Sequence, residues 1–419
     1  MFLRLLKIFP NWFFAYLAVG GLFAGLVTTK VVLSVATITL FCNALLNIQI
    51  RQNIITWLSS KTNMLLLSIF LLYLISGFYS ENTEYWFDRC KNKLPFLALP
   101  LGFVTLPALN KRRLYLFLML YVVIIFIAAD IVTINYLFHF KEFNEMIKVG
   151  APIPTPMNDH IRFSIEVAFA CILAFHLFIE RFIVKFPFER WIFFAIGVLL
   201  FIILHLLAVR SGLVVLYIVM VYAFIKRMLD KRQYVRGLVL LAAIFLMGFA
   251  SIHIYPSLAN RMNYFFYEWQ LIQEGDLKAG HSDAQRIVST RFGFQIGKEN
   301  LLLGVGVGDI KNEITEKYKD QYGEEQISYK LPHNQYVFVF ASTGIIGVII
   351  FLYAFLYPFV EKKRYKEFLF TSFAVTVLLS CLSEHMLEIQ IGTAFYLSFL
   401  LLFINYQQNK EKTLHTENA

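Results

Sequence analysis

Apolar runs of roughly 20 residues, the length a helix needs to cross the ~30 Å hydrocarbon core of a bilayer, recur along nearly the whole chain. The first follows Pro10 and reaches about Thr28. Further spans are expected near 31–49, 64–80, 94–109, 114–138, 161–180, 191–209, 211–225, 237–255, 334–358, 367–387 and 391–406, about twelve in all. The 94–109 run is short and carries Pro100 and Pro107. The first run is too long for a signal-peptide core and is followed by more spans, so it reads as the first helix. The pattern therefore predicts an all-α polytopic membrane protein. Helices 1–9 fill residues 1–255, a large loop covers 256–332, helices 10–12 fill 334–406, and 407–419 form a polar tail. No internal repeat is visible, so the inverted-repeat plan of many transporters has no support.

Within the loop, residues 284–300 have helical spacing. It places Arg286, Thr290, Gly293 and Gly297 on one face and Ile287, Phe292 and Ile296 on another. Asp309 is positioned to cap a further helix to about Gln321. Residues 261–272 are dense in aromatics and suit a membrane interface. So does the amphipathic stretch 81–93, while the alternating prolines of 151–156 predict a stiff strap.

Composition agrees with this reading. The chain is 58% hydrophobic and 16% charged, with mean hydropathy +0.62, against about 25% charged in soluble proteins. The net charge of +10 is explained by topology rather than by nucleic acid, because the cations sit mostly in short loops. About 21 Lys and Arg fall on one side of the twelve-span plan and 8 in the opposite short loops. Both termini are then cytoplasmic, and the 256–332 loop is external. Cys42, Cys90, Cys171 and Cys381 show no CxxC or metal spacing.

Candidate chemistry is sparse. Arg210 stands between two apolar runs with almost no loop. It either snorkels to the interface or clamps an anion with its planar fork. Arg286 and Arg291 are similar neighbours on the loop helix, and their spacing does not choose between them. His333 follows Pro332 and precedes Asn334 at the mouth of a membrane helix, where an imidazole can take a proton near neutral pH. The run Gly304-Val-Gly306-Val-Gly308 lacks the third glycine and the βαβ context of a dinucleotide site. Its glycines suit close backbone packing beside a ligand or the membrane. Two outer clusters, Asp159, His160, Arg162 and Glu166, and Glu384, His385 and Glu388, are either functional groups or structural pairs. No Walker sequence, HExxH or paired acidic motif is present.

Arg210 with Gly212, Arg286, the stretch LLLGVGVGD over 301–309 and PHNQYVFVFASTGIIGVI over 332–349 together resemble the O-antigen ligase family. That superfamily also holds polysaccharide polymerases and protein O-oligosaccharyltransferases. Three features depart from its usual pattern: Thr290 replaces an aromatic residue, Glu299-Asn300 replaces a proline, and Val209 replaces a serine. The resemblance implies a GT-C-like membrane glycosyltransferase in the bacterial inner membrane, working on its periplasmic face. Its donor would be a glycan on undecaprenyl pyrophosphate. The acceptor would be lipid A–core or another glycan. No nucleotide sugar, cofactor or metal would be needed. Arg210 and Arg286 would hold the pyrophosphate and His333 would serve the acceptor hydroxyl, with Arg291, Asn334, Gly304 and Gly306 as substrate-binding candidates.

Overall fold

The computed structural model describes residues 11–232, 234–274, 282–323 and 330–417, which form helices and connecting turns without a strand. Arg4 and Lys7, counted among the inner-side cations, lie outside the described residues. So do 275–281 and 324–329 of the loop and 418–419 of the tail. In chain order the helices are α1 (Asn11–Val27), α2 (Lys30–Leu45), α3 (Ile50–Ser59), α4 (Lys61–Ser76), α5 (Thr83–Lys93), α6 (Pro95–Phe103), α7 (Lys111–Phe138), α8 (Phe140–Lys148) and α9 (His160–Ile179). They continue as α10 (Glu189–Leu207), α11 (Arg210–Lys231), α12 (Tyr234–Ile254), α13 (Pro256–Gln273), α14 (Ser282–Glu299), α15 (Ile310–Tyr322), α16 (Gln335–Val360), α17 (Phe368–Ser383) and α18 (Gln390–Glu417).

Among the described residues, six helices are long and apolar enough to cross a membrane, or seven if α2 and α3, bent by 109°, count as one span. Three shorter apolar helices accompany them. The sequence led to an expectation of about twelve. The clearest departure is 94–109, where only the nine residues of α6 are helical. At 1.5 Å per residue that helix reaches about 14 Å, half a bilayer core.

The chain divides into two compact units. The first comprises Met1–Phe117, Gln285–Tyr365 and Cys381–Ala419, and the second comprises Leu118–Ala284 and Lys366–Ser380. In the first unit α4 packs against α16 in the opposite direction. At one end Thr62 donates to Glu361 at 2.9 Å, and Lys61 sits 4.5 Å from the Tyr357 ring centroid. Lys362, Lys363 and Arg364 follow at the same end. At the other end Tyr79 donates to the Leu303 carbonyl.

The glycine run explains how α16 tolerates a break. Gly344 takes φ +63° inside the helix, so Ala341 and Ser342 lose their usual helical donors, the amides of Ile345 and Ile346. The 301–306 turn exchanges partners with them. Ile345 and Ile346 donate to the carbonyls of Leu301 and Leu302, while Val305 and Gly306 donate to those of Ala341 and Ser342. These four backbone groups of α16 are thereby satisfied. Glycine is required on both sides. A Cβ on Gly304 (φ +66°) would lie 2.5 Å from Ser342 backbone, and one on Gly344 would strike Leu302 backbone.

In the second unit α9 is buried along most of its length and packs on α10 and α11. The chain reverses between α10 and α11 through left-handed Ala208, φ +53°. Gly212 then lets α11 approach α9, since a Cβ there would lie 2.6 Å from the Ser164 carbonyl oxygen. The expected aromatic interface segment is α13, which leaves Phe266, Tyr267 and Trp269 exposed.

Candidate active site

The local sequence of α14 fixes its orientation in the first unit. Val288, Phe292 and Ile296 are buried. Gly293 and Gly297 lie against Pro332 with Val337 and against Phe340, respectively. Their shared face carries Arg286 toward the mouth of α16, as the helical spacing predicts. Ile287, expected on the apolar face, is instead 45% exposed.

Asn334 starts α16 by accepting hydrogen bonds from the amides of Tyr336 and Val337, and it donates to the Leu382 carbonyl. This capping holds His333 just outside the helix and beside the end of α17. There His333 Nδ1 lies 2.9 Å from Glu384 Oε1, and the Arg286 guanidinium lies 3.1 Å from the same oxygen. Glu384 is 2% exposed, against 15% for His333 and 30% for Arg286. Burial raises the Glu384 carboxyl pKa. The His333 hydrogen bond and charge, with Arg286 and His385, outweigh it and hold the value at about 2. When His333 is neutral, an ionised Glu384 accepts from a proton-bearing Nδ1, which leaves the lone pair on Nε2.

Four residues further on is a second buried carboxylate. Glu388 Oε1 accepts from Lys93 at 2.8 Å, Tyr73 at 2.5 Å and Gln335 at 2.7 Å. Burial alone would push its pKa up, but the Lys93 charge and these donors keep it low. Gln335 Oε1 also accepts from the Leu387 amide. The start of α16 and the 384–388 turn are thus joined on both sides of His333.

The other sequence-predicted residues have different surroundings. Arg291 is exposed near Tyr322 and does not share the Glu384 pair. Gly304 and Gly306 commit their amides to Asn300 and Ser342. They therefore act in backbone packing, and the Asn334 side chain acts as a helix cap. Asp309 does not cap α15 with its side chain. Its carboxylate instead accepts from the amides of Glu81 and Asn82, both at 2.8 Å. Arg210 begins α11 in the second unit and lies 4.9 Å from the Phe265 ring centroid, a cation–π geometry. Asp159 and Arg162 form a structural pair at the start of α9, 2.7 Å apart.

Glu384 is the candidate site residue that sequence reasoning left unassigned. Its signal was an acidic group next to a histidine at the end of an apolar run. His333, Glu384 and His385 also place potential ligand atoms within 4.8 Å of one another, a donor set able to hold a metal ion. The Arg286 charge on the same carboxylate opposes a cation there. The geometry suits proton transfer from a bound hydroxyl to His333 Nε2, next to a guanidinium that favours developing negative charge.

No curated protein matches the chain. Residues 195–352 match the family model described as O-antigen ligase, a stretch that contains Arg210, Arg286, the glycine run and His333. Over those residues the chain is similar to the O-antigen ligase family.

Proposed function

We propose that this protein is a metal-independent glycosyltransferase that moves a glycan from undecaprenyl pyrophosphate to an acceptor hydroxyl, most specifically lipid A–core. The carrying observation is the pair of contacts on Glu384, from His333 and from Arg286. The acceptor O–H gives its proton to His333 Nε2. Its oxygen then forms a bond to the anomeric carbon as the bond from that carbon to the phosphate oxygen breaks, and the electron pair leaves on pyrophosphate. Glu384 stabilises the imidazolium, and Arg286 stabilises the departing phosphate. Arg210 is assigned as the second cation for that group, with Gly212 allowing its helix to start against α9. Charge-assisted contacts of this kind contribute about 1.5–3 kcal/mol each.

The wider setting follows the same reading. The protein is placed in the inner membrane with a GT-C-like arrangement of about twelve helices, both termini cytoplasmic and the 256–332 loop periplasmic. The end of the α4–α16 pair that holds Lys61, Lys362 and Lys363 is opposite His333, which supports a periplasmic site under the positive-inside rule.

The test is a lipopolysaccharide gel from a deletion strain complemented with His333→Ala. Membrane levels should match the wild type while the ladder is lost and lipid-linked glycan accumulates. A normal ladder would overturn the base assignment, and a core carrying one repeat would assign polymerisation instead of ligation.

A further inference from the structure

His333 has a second side. It lines a cavity of about 360 Å³ with Tyr85 and Arg89 of α5, Lys311 and Ile314 of α15, Lys330, Leu331 and His385. Arg89, Lys311 and Lys330 bring three cations to this wall, and none of the described lining residues is acidic. The neighbouring Asp88 pairs with Lys91 at 2.6 Å. Arg89 lies 4.5 Å from the Tyr85 ring centroid, so its guanidinium is held against the wall by an aromatic face. The Tyr85 hydroxyl and Arg89 Nε are buried and have no hydrogen-bond partner among the described residues. These are donors, as an anion requires.

Arg286 and Glu384 are not among the lining residues. His333 and His385, both beside Glu384, therefore form the border between the Arg286 pair and this cavity. The first is the side to which the leaving pyrophosphate is assigned. The other is the cationic cavity. A reaction at His333 needs a second substrate on its free side, and that substrate carries the hydroxyl.

We propose that this cavity binds the acceptor through negatively charged groups, phosphate or carboxylate, close to the hydroxyl that is glycosylated, with Lys311 and Lys330 as specificity residues. The inference rests on the transfer reaction proposed above. It adds that the acceptor is an anionic glycan selected by charge.

The experiment uses purified full-length protein in detergent and lipid-linked glycan donor. Three acceptor preparations are compared: lipid A–core from the deletion strain, the same material treated with phosphatase, and the same material with its carboxylates reduced. The wild type should lose on the order of tenfold in kcat/KM when the relevant anionic groups are removed, as two or three partly exposed ion pairs would give. The treated preparation that loses rate identifies phosphate or carboxylate. The Lys311→Gln/Lys330→Gln variant should bring the ratio of untreated to treated acceptor close to one, and Lys311→Arg/Lys330→Arg should restore it. Equal wild-type rates with all three preparations would overturn the proposal. So would a glutamine variant that keeps the discrimination, or one that raises only the donor KM, which would give the cavity to the donor's pyrophosphate. If His333→Ala transfers glycan as well as the wild type, the reaction assignment itself fails, and this inference fails with it.

Discussion

Glu384 and Glu388 stand four residues apart in one turn of the first unit, each buried and each held beside a cation, yet their surroundings differ in kind. Glu388 and Lys93 are both 0% exposed, and the network is completed by Tyr73 and Gln335. Glu384 is 2% exposed, but its partners His333 and Arg286 reach the surface. The first arrangement is closed and joins α4, α5 and α16. The second is open on the side where a substrate can arrive. A buried carboxylate with a cation is therefore insufficient to mark chemistry; what separates the two is whether a partner has an accessible face.

The sharpest way to break this distinction is Lys93→Met. Removing one member of a sealed ion pair leaves an uncompensated charge and costs about 3–5 kcal/mol. Thermal unfolding in detergent should show a large loss of stability, and Lys93→Met/Glu388→Leu should recover part of it. An unchanged unfolding temperature together with lost glycan transfer would place Glu388 in the chemistry and erase the contrast.

Glu384→Gln should behave in the opposite way. The amide oxygen can still accept from His333 Nδ1, so the fold is retained, but the imidazolium and Arg286 lose their counter-charge. Transfer should fall on the order of 10²-fold, within the range for general-base catalysis, with kcat falling more than the donor KM. A variant that retains wild-type kcat would leave His333 without a carboxylate requirement.

The sequence made the local half of this site legible. Helical spacing brought Arg286, Gly293 and Gly297 to one face of α14, and the α14 contacts agree with it. The Pro332–Tyr336 motif located the mouth of α16. What periodicity does not contain is pairing across long separations. Glu384 is 51 positions from His333, and only the adjacent His385 sets it apart locally from Glu388. Lys93, at the end of the amphipathic stretch 81–93, is buried by the fold. Asp309 carried the signature of a helix cap but holds the amides of Glu81 and Asn82, because Gly308 brings the turn within 3.1 Å of the Ser80 hydroxyl. The number of spans was the least legible feature, since apolar helices of 16 or 17 residues have the same composition as longer ones.

The smallest expected effect is a pH dependence, and it separates the two glutamates by proton linkage. The Glu384 pKa is lowered from 4.5 to about 2 in the folded protein. A depressed carboxyl contributes stability that is fully present above the unfolded value and is lost as pH falls toward the folded value. The stability difference between wild type and Glu384→Gln should therefore shrink steadily from about pH 4.5 toward pH 2. Unfolding temperatures of both proteins in one detergent, read at half-unit pH steps, measure it. Glu388 remains in both proteins, so its own linkage cancels in the difference. A gap that stays constant through pH 3, or one that widens on acidification, would show that Glu384 is not held as a carboxylate by Arg286 and His333.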